Sequence, residues 1–234
     1  MDIEYLLWLQ NIREASGNLL TPFMIWVSDF SVGGILLIPI FVYWCLNKRS
    51  GMFLMLSLAV SNLLNDIIKM TCCVYRPFML DSRVMPVGHK PSGYSFPSGH
   101  TMTAAPICVG LAALSRKKCA WFSCLCVLMT LAVMFSRNYL GVHTPQDVVV
   151  GLIASTVVLY AVSVMMSHPE RENMFTALGI IAVIAGIAYV SLKSYPMDLD
   201  ANGKLFVNYK NKLGDVYFYG GNLAGLIIGR LIER

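Results

Sequence analysis

The sequence predicts an all-α, polytopic membrane protein with about six transmembrane helices and an N-terminal helix in the membrane interface. Of the 234 residues, 56% are hydrophobic and 13% are charged, against about 45–50% apolar and about 25% charged residues in soluble domains. Mean hydropathy is +0.62. Several charge-free runs approach the roughly 20 apolar residues that a membrane-crossing helix needs. No shift in composition and no internal repeat divides the chain, so we expect residues 1–234 to form a single membrane-embedded domain.

The N-terminal segment, MDIEYLLWLQNIRE, is not typical of a cleavable signal peptide. It carries acidic residues where a signal peptide is basic, and it lacks a long apolar core. Its apolar side chains suit a helix that lies in the membrane interface, and equally a short helix packed on the protein itself. These side chains are Ile3, Leu6, Leu7, Trp8 and Leu9.

Six runs are predicted to cross the membrane: residues 30–47, 50–65, 99–115, 119–136, 148–167 and 174–192. A shorter, glycine-rich run at 216–229 is either a seventh span or a packed half-helix. Most connections are short, but two polar stretches, 78–96 and 193–212, are longer. Because a long polar loop at a membrane needs protein beneath it or a function, we expect functional residues near these stretches.

The parity of the spans brings three polar clusters to one face of the membrane. If 99–115 crosses and 119–136 returns, Ser136 emerges on the side where Ser98 began. Residues 69–77, at the end of the preceding span, lie on that side too. The opposite face carries basic residues at 48–49, 116–118, Arg230 and Arg234. Short basic loops mark the cytoplasm, so we expect the clusters to face outward.

The first cluster, KMTCCVYRP, contains two cations near the end of a span. Lys69 and Arg76 are seven residues apart, or two helical turns, which places both side chains on one face about 10 Å apart. Pro77 disfavours helix at the preceding residue, so the span is expected to end at Arg76. Alternatively, both residues are cations that extend toward the membrane boundary.

The second cluster, FPSGHTM, predicts a helix that begins near Ser98 and Gly99. The first N–H groups of a helix are unpaired, and a glycine lets other groups approach them closely, which suits an anion. His100 lies beside them in the first turn. The alternative is a serine cap with a polar histidine at the interface.

The third cluster, SRNYLGVHTPQD, joins Arg137 at the end of one span to His143 and Asp147 at the start of the next. Thr144 is the expected N-cap, which makes Asp147 the third helical residue, one turn from His143. A carboxylate in that position can hold one imidazole nitrogen as N–H and leave the other free to attack. Alternatively, Asp147 only caps the helix and His143 is a polar residue at a boundary.

Together the clusters resemble the three-part signature of the type 2 phosphatidic acid phosphatase superfamily, with no departure at a signature position. The signature reads Lys69-x6-Arg76-Pro77, Pro97-Ser98-Gly99-His100 and Ser136-Arg137-x5-His143-x3-Asp147. That superfamily also contains soluble vanadium haloperoxidases and glucose-6-phosphatases. The hydrophobic composition favours its membrane lipid-phosphatase branch.

The resemblance implies a hydrolase that removes phosphate from a lipid phosphate or diphosphate through a phosphohistidine. It implies that His143 is the nucleophile, that Asp147 orients it and that His100 protonates the leaving oxygen. The implied substrate-binding residues are Lys69, Arg76, Ser98, Gly99 and Arg137. Candidate substrates are undecaprenyl diphosphate, phosphatidylglycerol phosphate and phosphatidic acid. No metal and no other cofactor is expected, since no cluster of Asp and Glu accompanies the motifs.

Two other functions remain open at this point. A phosphotransferase would pass the same phosphoryl group to another lipid. A transporter would use the polar residues of one span, Asn62, Asn65, Asp66 and Lys69, to line a pathway, although Asp66 and Lys69 are equally a structural pair. The net charge of +5 and the absence of a long basic run do not indicate nucleic acid as a partner. Oligomeric state is left open.

The remaining sequence features concern the cellular location, the state of the cysteines and a possible calcium-binding loop. We expect a multi-pass protein of a bacterial plasma membrane, with its seven cysteines reduced or buried in lipid rather than paired in disulfides. Residues 198–209 match the first half of a calcium-binding loop at Asp198, Asp200, Asn202 and Gly203, but Tyr209 replaces the final Glu. There we predict an Asn-Gly turn between two short strands, and no calcium site.

Overall fold

The computed structural model describes residues 2–199, 203 and 205–233, and its regular structure is helical. Within these residues there is no β-strand beyond a single antiparallel bridge between Leu199 and Leu205, so the all-α prediction is confirmed. The helices of this part are α1 (Asp2–Ala15), α2 (Thr21–Phe30), α3 (Leu37–Phe41), α4 (Lys48–Cys72), α5 (Pro77–Leu80), α6 (Gly99–Ser115), α7 (Ala120–Tyr139), α8 (Pro145–Ser167), α9 (Glu172–Leu192) and α10 (Tyr209–Ile232).

Five helical segments of the described chain are long and apolar enough to cross a membrane. They are Thr21–Leu46, Lys48–Leu80, Ala120–Tyr139, Pro145–Ser167 and Pro169–Leu192. The shorter α6, with 17 residues, is about 26 Å long and packs against α4, α7 and α8. Most of its residues are buried, so the other helices enclose it. The chain is therefore a multi-pass membrane protein.

The first span begins earlier than the predicted range of 30–47. Helix α2 starts at Thr21, and the span continues through a 3₁₀ turn (Gly34–Leu36), α3 and a π-helical turn (Val42–Leu46). The prediction began late because it required a charge-free run, whereas Asp29 lies inside α2. The chain bends after α2, where a Cβ on Gly34 would lie 2.7 Å from the Phe30 ring. A larger residue at this position would therefore require the Phe30 ring to move.

The two segments left ambiguous by the sequence are both complete helices. Helix α10 has 24 continuous residues and is about 36 Å long, so run 216–229 is not a half-helix. At the other end of the chain, α1 packs on the protein through Leu6 and Leu9, which are buried, while Trp8 remains exposed. The N-terminal helix thus contacts both the protein and its surroundings.

The predicted hairpin after α9 is not formed as a pair of strands. Leu199 and Leu205 make their bridge, but Phe206 then packs against the ring of Tyr75 at 5.5 Å, and Asn208 caps α10. The prediction of a second strand is therefore wrong, because the chain bends immediately after Leu205. The predicted Asn-Gly turn falls largely on residues outside the described chain, as do Asp200 and Asn202.

Basic residues collect at the end of the bundle where α4 and α9 begin and α8 and α10 end. Arg49 donates to the carbonyl of Met166 at 2.8 Å, and Arg230 pairs with Glu172. Arg234 lies outside the described residues. All seven cysteines lie in the described part of the chain and are free there; that they are not paired in a disulfide framework stays a prediction.

Candidate active site

The three motifs meet at the opposite end of the bundle, where α4 and α7 end and α6 and α8 begin. Lys69 of the first motif donates to the carbonyl of Pro97 in the second. The N–H of Ser98 donates to the carbonyl of Asp147 at 2.9 Å. The guanidinium of Arg76 contacts the ring of His143 at 3.1 Å. These contacts join all three motifs, so the predicted convergence is confirmed.

The backbone that carries Lys69 and Arg76 into the site differs from the predicted continuous helix. Helix α4 ends at Cys72, because Cys73 adopts a left-handed conformation with φ of 52°. Arg76 is extended before Pro77, with φ −74° and ψ 152°, as expected for a residue that precedes proline. The prediction that the span ends at Arg76, with both cations on one helical face, is therefore wrong. Lys69 and Arg76 are only 9% and 4% exposed, so neither extends toward the membrane boundary.

Lys69 holds the loop that precedes α6. Its ammonium group donates to the carbonyls of Tyr94 at 3.3 Å and Ser95 at 3.2 Å, in addition to that of Pro97. Three carbonyl acceptors match the three hydrogens of an ammonium group. Lys69 therefore fixes the backbone of the second motif while keeping a positive charge beneath it.

His143 and Asp147 are paired as the sequence predicts. Asp147 is the third residue of α8, and its Oδ2 accepts both the backbone N–H of Thr144 at 2.9 Å and Nδ1 of His143 at 3.2 Å. One carboxylate oxygen therefore makes both the capping contact and the contact with His143, so Asp147 does more than cap the helix; its role in catalysis stays a prediction. An ionised carboxylate only accepts hydrogen bonds, so Nδ1 of His143 carries the proton.

The contact of Arg76 with the opposite nitrogen of the His143 ring indicates the same tautomer. Its Nη1 lies 3.1 Å from Nε2 of His143, and since a guanidinium can only donate, Nε2 is the acceptor. Two further bonds, from Nε to the carbonyl of Gly93 and from Nη1 to that of Val142, both 3.0 Å, hold the guanidinium in place. Nε2 therefore has the lone pair that a base or nucleophile needs.

The environment of His143 favours the neutral form of its ring. The residue is 1% exposed, and burial, together with the positive charges of Arg76 and Lys69, lowers the pKa of His143 well below its usual value. Desolvation and nearby cations both disfavour the imidazolium form. The nucleophilic form of the ring is therefore the one that the site stabilises.

Ser98, Gly99 and His100 form the first turn of α6. Ser98 is the N-cap, fully buried, and its Oγ accepts the N–H of Thr101 at 3.5 Å. Gly99 and His100 are half-buried, whereas the other six predicted site residues are buried. The start of α6 is therefore the more accessible side of the site, and the N-terminus of the helix would stabilise an anion there.

Arg137 lies at the end of α7 and is 4% exposed. Its Nη1 donates to the hydroxyl of Ser28 on α2. Its Nε is buried and has no hydrogen-bond partner among the described residues. A buried donor without an acceptor is unfavourable, and an anion in the site would satisfy it.

Two serines that the sequence analysis missed also belong to the site. Ser95 donates to Oδ2 of Asp147 at 2.5 Å, and Ser28 holds Arg137 from α2. Ser95 lies just before the second motif and Ser28 lies over 100 residues from Arg137, so no spacing pattern marks either one. The described residues include no group of three or more His, Cys, Asp and Glu side chains that could hold a metal ion; metal independence stays a prediction.

Known proteins are similar to this chain in sequence and in fold. Undecaprenyl-diphosphatase from Sulfolobus acidocaldarius is 30% identical over 126 residues, covering 53% of this chain and 60% of that protein. Phosphatidylglycerophosphatase B from Escherichia coli K12 is 44% identical over 69 residues, covering 28% of this chain and 26% of that one. The matched regions thus span less than two thirds of the length of these relatives.

A solved structure and a family model are also similar to this chain. The crystal structure of a transmembrane PAP2-type phosphatidylglycerolphosphate phosphatase from Bacillus subtilis has a TM-score of 0.59 and 23% sequence identity, covering 73% of this chain and 86% of that one. At this identity the likeness concerns the fold alone. The family model of the PAP2 superfamily matches residues 50–171, more than half of the chain and all three motifs. The chain therefore belongs to the PAP2 superfamily.

Proposed function

We propose that this protein is a membrane lipid phosphatase that hydrolyses a lipid phosphate or diphosphate through a phosphohistidine on His143. The observation that carries the proposal is the position of the His143 ring. Its Nδ1–H is bonded to Asp147 and its Nε2 lone pair faces the guanidinium of Arg76. A neutral imidazole oriented by a carboxylate on one side is arranged for attack with the other nitrogen.

In the first step, Nε2 of His143 attacks phosphorus, and the bond from phosphorus to the leaving oxygen breaks. The ring becomes positively charged while phosphorylated, and the adjacent carboxylate of Asp147 stabilises that charge. Half-buried His100, at the start of α6, donates a proton to the leaving oxygen. In the second step His100 accepts a proton from water, which attacks the phosphohistidine, so that inorganic phosphate leaves and His143 is restored.

The cations supply the charge that phosphoryl transfer requires. Arg76 and Arg137 present planar donor groups to phosphate oxygens, and the Nε of Arg137 lacks any acceptor among the described residues. Ser98 and the N–H of Gly99 complete the binding site from α6. Because an N–H of Arg76 already contacts Nε2, the arriving phosphate oxygen takes over this donor and frees the lone pair for attack.

The substrate is proposed to be undecaprenyl diphosphate, phosphatidylglycerol phosphate or phosphatidic acid. The Sulfolobus relative, an undecaprenyl-diphosphatase, and the E. coli relative, a phosphatidylglycerophosphatase, support a lipid carrying a phosphate or diphosphate. Basic residues at the opposite end of the bundle, including Arg49 and Arg230, support a site on the outer face of a plasma membrane.

Polar residues on α4 give little support to a transporter. Asn62 accepts the hydroxyl of Thr103 at 3.0 Å, and Asn65 donates to the carbonyl of Pro97 at 3.2 Å. Both side chains therefore hold α6 against α4 instead of lining a pathway. This favours an enzyme, whether a hydrolase or a phosphotransferase.

The test is release of inorganic phosphate by purified protein from each of the three lipids, measured with malachite green and without an added acceptor. We expect turnover on at least one lipid, and none from the His143→Ala variant. Transfer to an added lipid alcohol without phosphate release would instead identify a phosphotransferase. Absence of both release and transfer with all three lipids would contradict the proposal.

A further inference from the structure

A serine outside the three signature motifs touches the proposed nucleophile and its carboxylate together. The hydroxyl of Ser95 lies 2.5 Å from Oδ2 of Asp147 and 3.4 Å from Nδ1 of His143. The residue is 1% exposed. Since the ionised carboxylate only accepts, the hydroxyl hydrogen of Ser95 points to Asp147, and the hydroxyl lone pairs remain toward Nδ1–H of His143.

The backbone of Ser95 is held on both sides by the segment that carries the first motif. Its N–H donates to the carbonyl of Val74 at 2.7 Å, and its carbonyl accepts the ammonium of Lys69 at 3.2 Å. Rotation of the side chain is then the main freedom left to the hydroxyl group. Ser95 therefore transmits the position of the first motif to the carboxylate of the third.

Among the described residues, only one donor besides Ser95 and His143 bonds to Oδ2 of Asp147, the N–H of Thr144 at 2.9 Å. One such bond leaves a carboxylate free to rotate about the bond to its carbon chain, whereas a second donor from another direction fixes the plane. We propose that Ser95 is a positioning residue for phosphoryl transfer, which locks Oδ2 of Asp147 against Nδ1–H of His143. This inference rests on the proposed phosphohistidine mechanism.

The expected signature is a loss in kcat with little change in KM, because Ser95 contacts the nucleophile pair and not the lipid. A hydrogen bond to a charged group that is removed costs about 10- to 100-fold in rate if it acts in the transition state. We expect this loss for Ser95→Ala. Ser95→Cys fills nearly the same space with a weak donor, so it should lose kcat in the same way without leaving a hole.

A double variant separates positioning through Asp147 from a general effect on the fold. If Ser95 acts through the carboxylate, Ser95→Ala in an Asp147→Asn background should cost much less than in the wild-type protein. Ser155→Ala is the matched control, because Ser155 is also fully buried, lies on α8 and bonds only to Ser61 among the described residues, at 3.1 Å. Its kcat should equal that of the wild type.

The measurements are kcat and KM for phosphate release, with folding followed by size-exclusion chromatography in detergent. Wild-type kcat in both Ser95→Ala and Ser95→Cys would overturn the inference. So would an undiminished loss in the Asp147→Asn background, or a Ser95→Cys protein that fails to fold, since a positioning role predicts a folded enzyme. If His143→Ala still turns over, the phosphohistidine mechanism itself fails; if it is inactive while both Ser95 variants are normal, only the role of Ser95 fails.

Discussion

An N–H of Arg76 lies 3.1 Å from Nε2 of His143, the atom that the proposed mechanism uses for attack. The same guanidinium is fixed by the carbonyls of Gly93 and Val142. In the proposed mechanism Arg76 therefore has two successive functions. It fixes the tautomer of the ring while no phosphate is bound, and it transfers its donor to the phosphate when the substrate arrives.

Arg76→Lys should lower kcat/KM by about 10- to 100-fold, although the charge is kept. A lysine has a point charge in place of a planar fork, so its single nitrogen cannot occupy both the Nε position that bonds to Gly93 and the Nη1 position that bonds to Val142 and His143. The steady-state rate of phosphate release measures this. Arg83→Lys is the control, since Arg83 is exposed and pairs with Asp81 and Glu4. Equal activity of the two variants would contradict the dual function of Arg76.

The stability of the folded protein should decrease as the pH is lowered below the usual pKa of histidine. His143 should account for part of this decrease. Burial and nearby cations lower the pKa of His143 in the folded state. Below about pH 6.5 the unfolded chain therefore binds a proton that the folded chain does not, so lowering the pH favours unfolding. The check is Tm in detergent at several pH values between about 7.5 and 5. His143→Asn should show a smaller decrease over this range; an identical decrease would mean that His143 is not held neutral.

The sequence predicts which residues form the site better than it predicts the backbone conformation of the segments that carry them. Helical parity and the motif spacings are enough to bring Lys69, Ser98 and His143 together, because each motif ends or begins a span. The left-handed conformation of Cys73, which ends α4, was not predictable from propensity, since residues other than glycine seldom adopt it. Ser28 and Ser95 were missed for a related reason. Their roles arise from packing between distant segments, and a serine in isolation has no spacing that indicates a partner.

Ser28→Ala should raise KM for the lipid phosphate, with a loss in kcat/KM of about tenfold. Ser28 lies on α2, outside the region that matches the family model, yet its hydroxyl accepts Nη1 of Arg137. Without it the guanidinium loses its fixed orientation toward the phosphate. Ser31→Ala provides the comparison, because Ser31 is equally buried but its hydroxyl bonds only to the carbonyl of Ser28 within the described chain, at 2.6 Å. A Ser28→Ala protein with normal KM and kcat would show that α2 does not orient Arg137.

The site should face outward, and cysteine labelling in intact cells tests this. Ser92 lies in the loop before α6, and Lys117 lies in the turn at the other end of α6; both are exposed. The labels belong in a background without native cysteines, because Cys45, Cys72 and Cys124 are exposed. With an impermeant reagent, Ser92→Cys should react and Lys117→Cys should not, as expected for basic loops in the cytoplasm. The reverse pattern would invert the proposed orientation.

His143 and His100 should respond differently to the leaving group of the substrate. His143 is buried between Asp147 and Arg76. Because the proposed nucleophile is needed for every substrate, His143→Ala should be inactive on all of them. His100 is half-buried at the start of α6, and as the general acid it matters most when the leaving oxygen needs a proton. General acid catalysis contributes typically about 10²–10⁴-fold.

We therefore expect His100→Ala to be severely impaired on a lipid monophosphate, whose alkoxide leaves poorly, and to recover in part on p-nitrophenyl phosphate, whose phenolate leaves easily. Asp147→Asn should fall between the two His variants, because it disturbs the tautomer but keeps the nucleophile. Steady-state kinetics of the three variants on both substrates, with folding checked by size-exclusion chromatography, decide the assignment. Turnover of the activated ester by His143→Ala, or the same dependence on the leaving group in both His variants, would show that these roles are wrongly assigned.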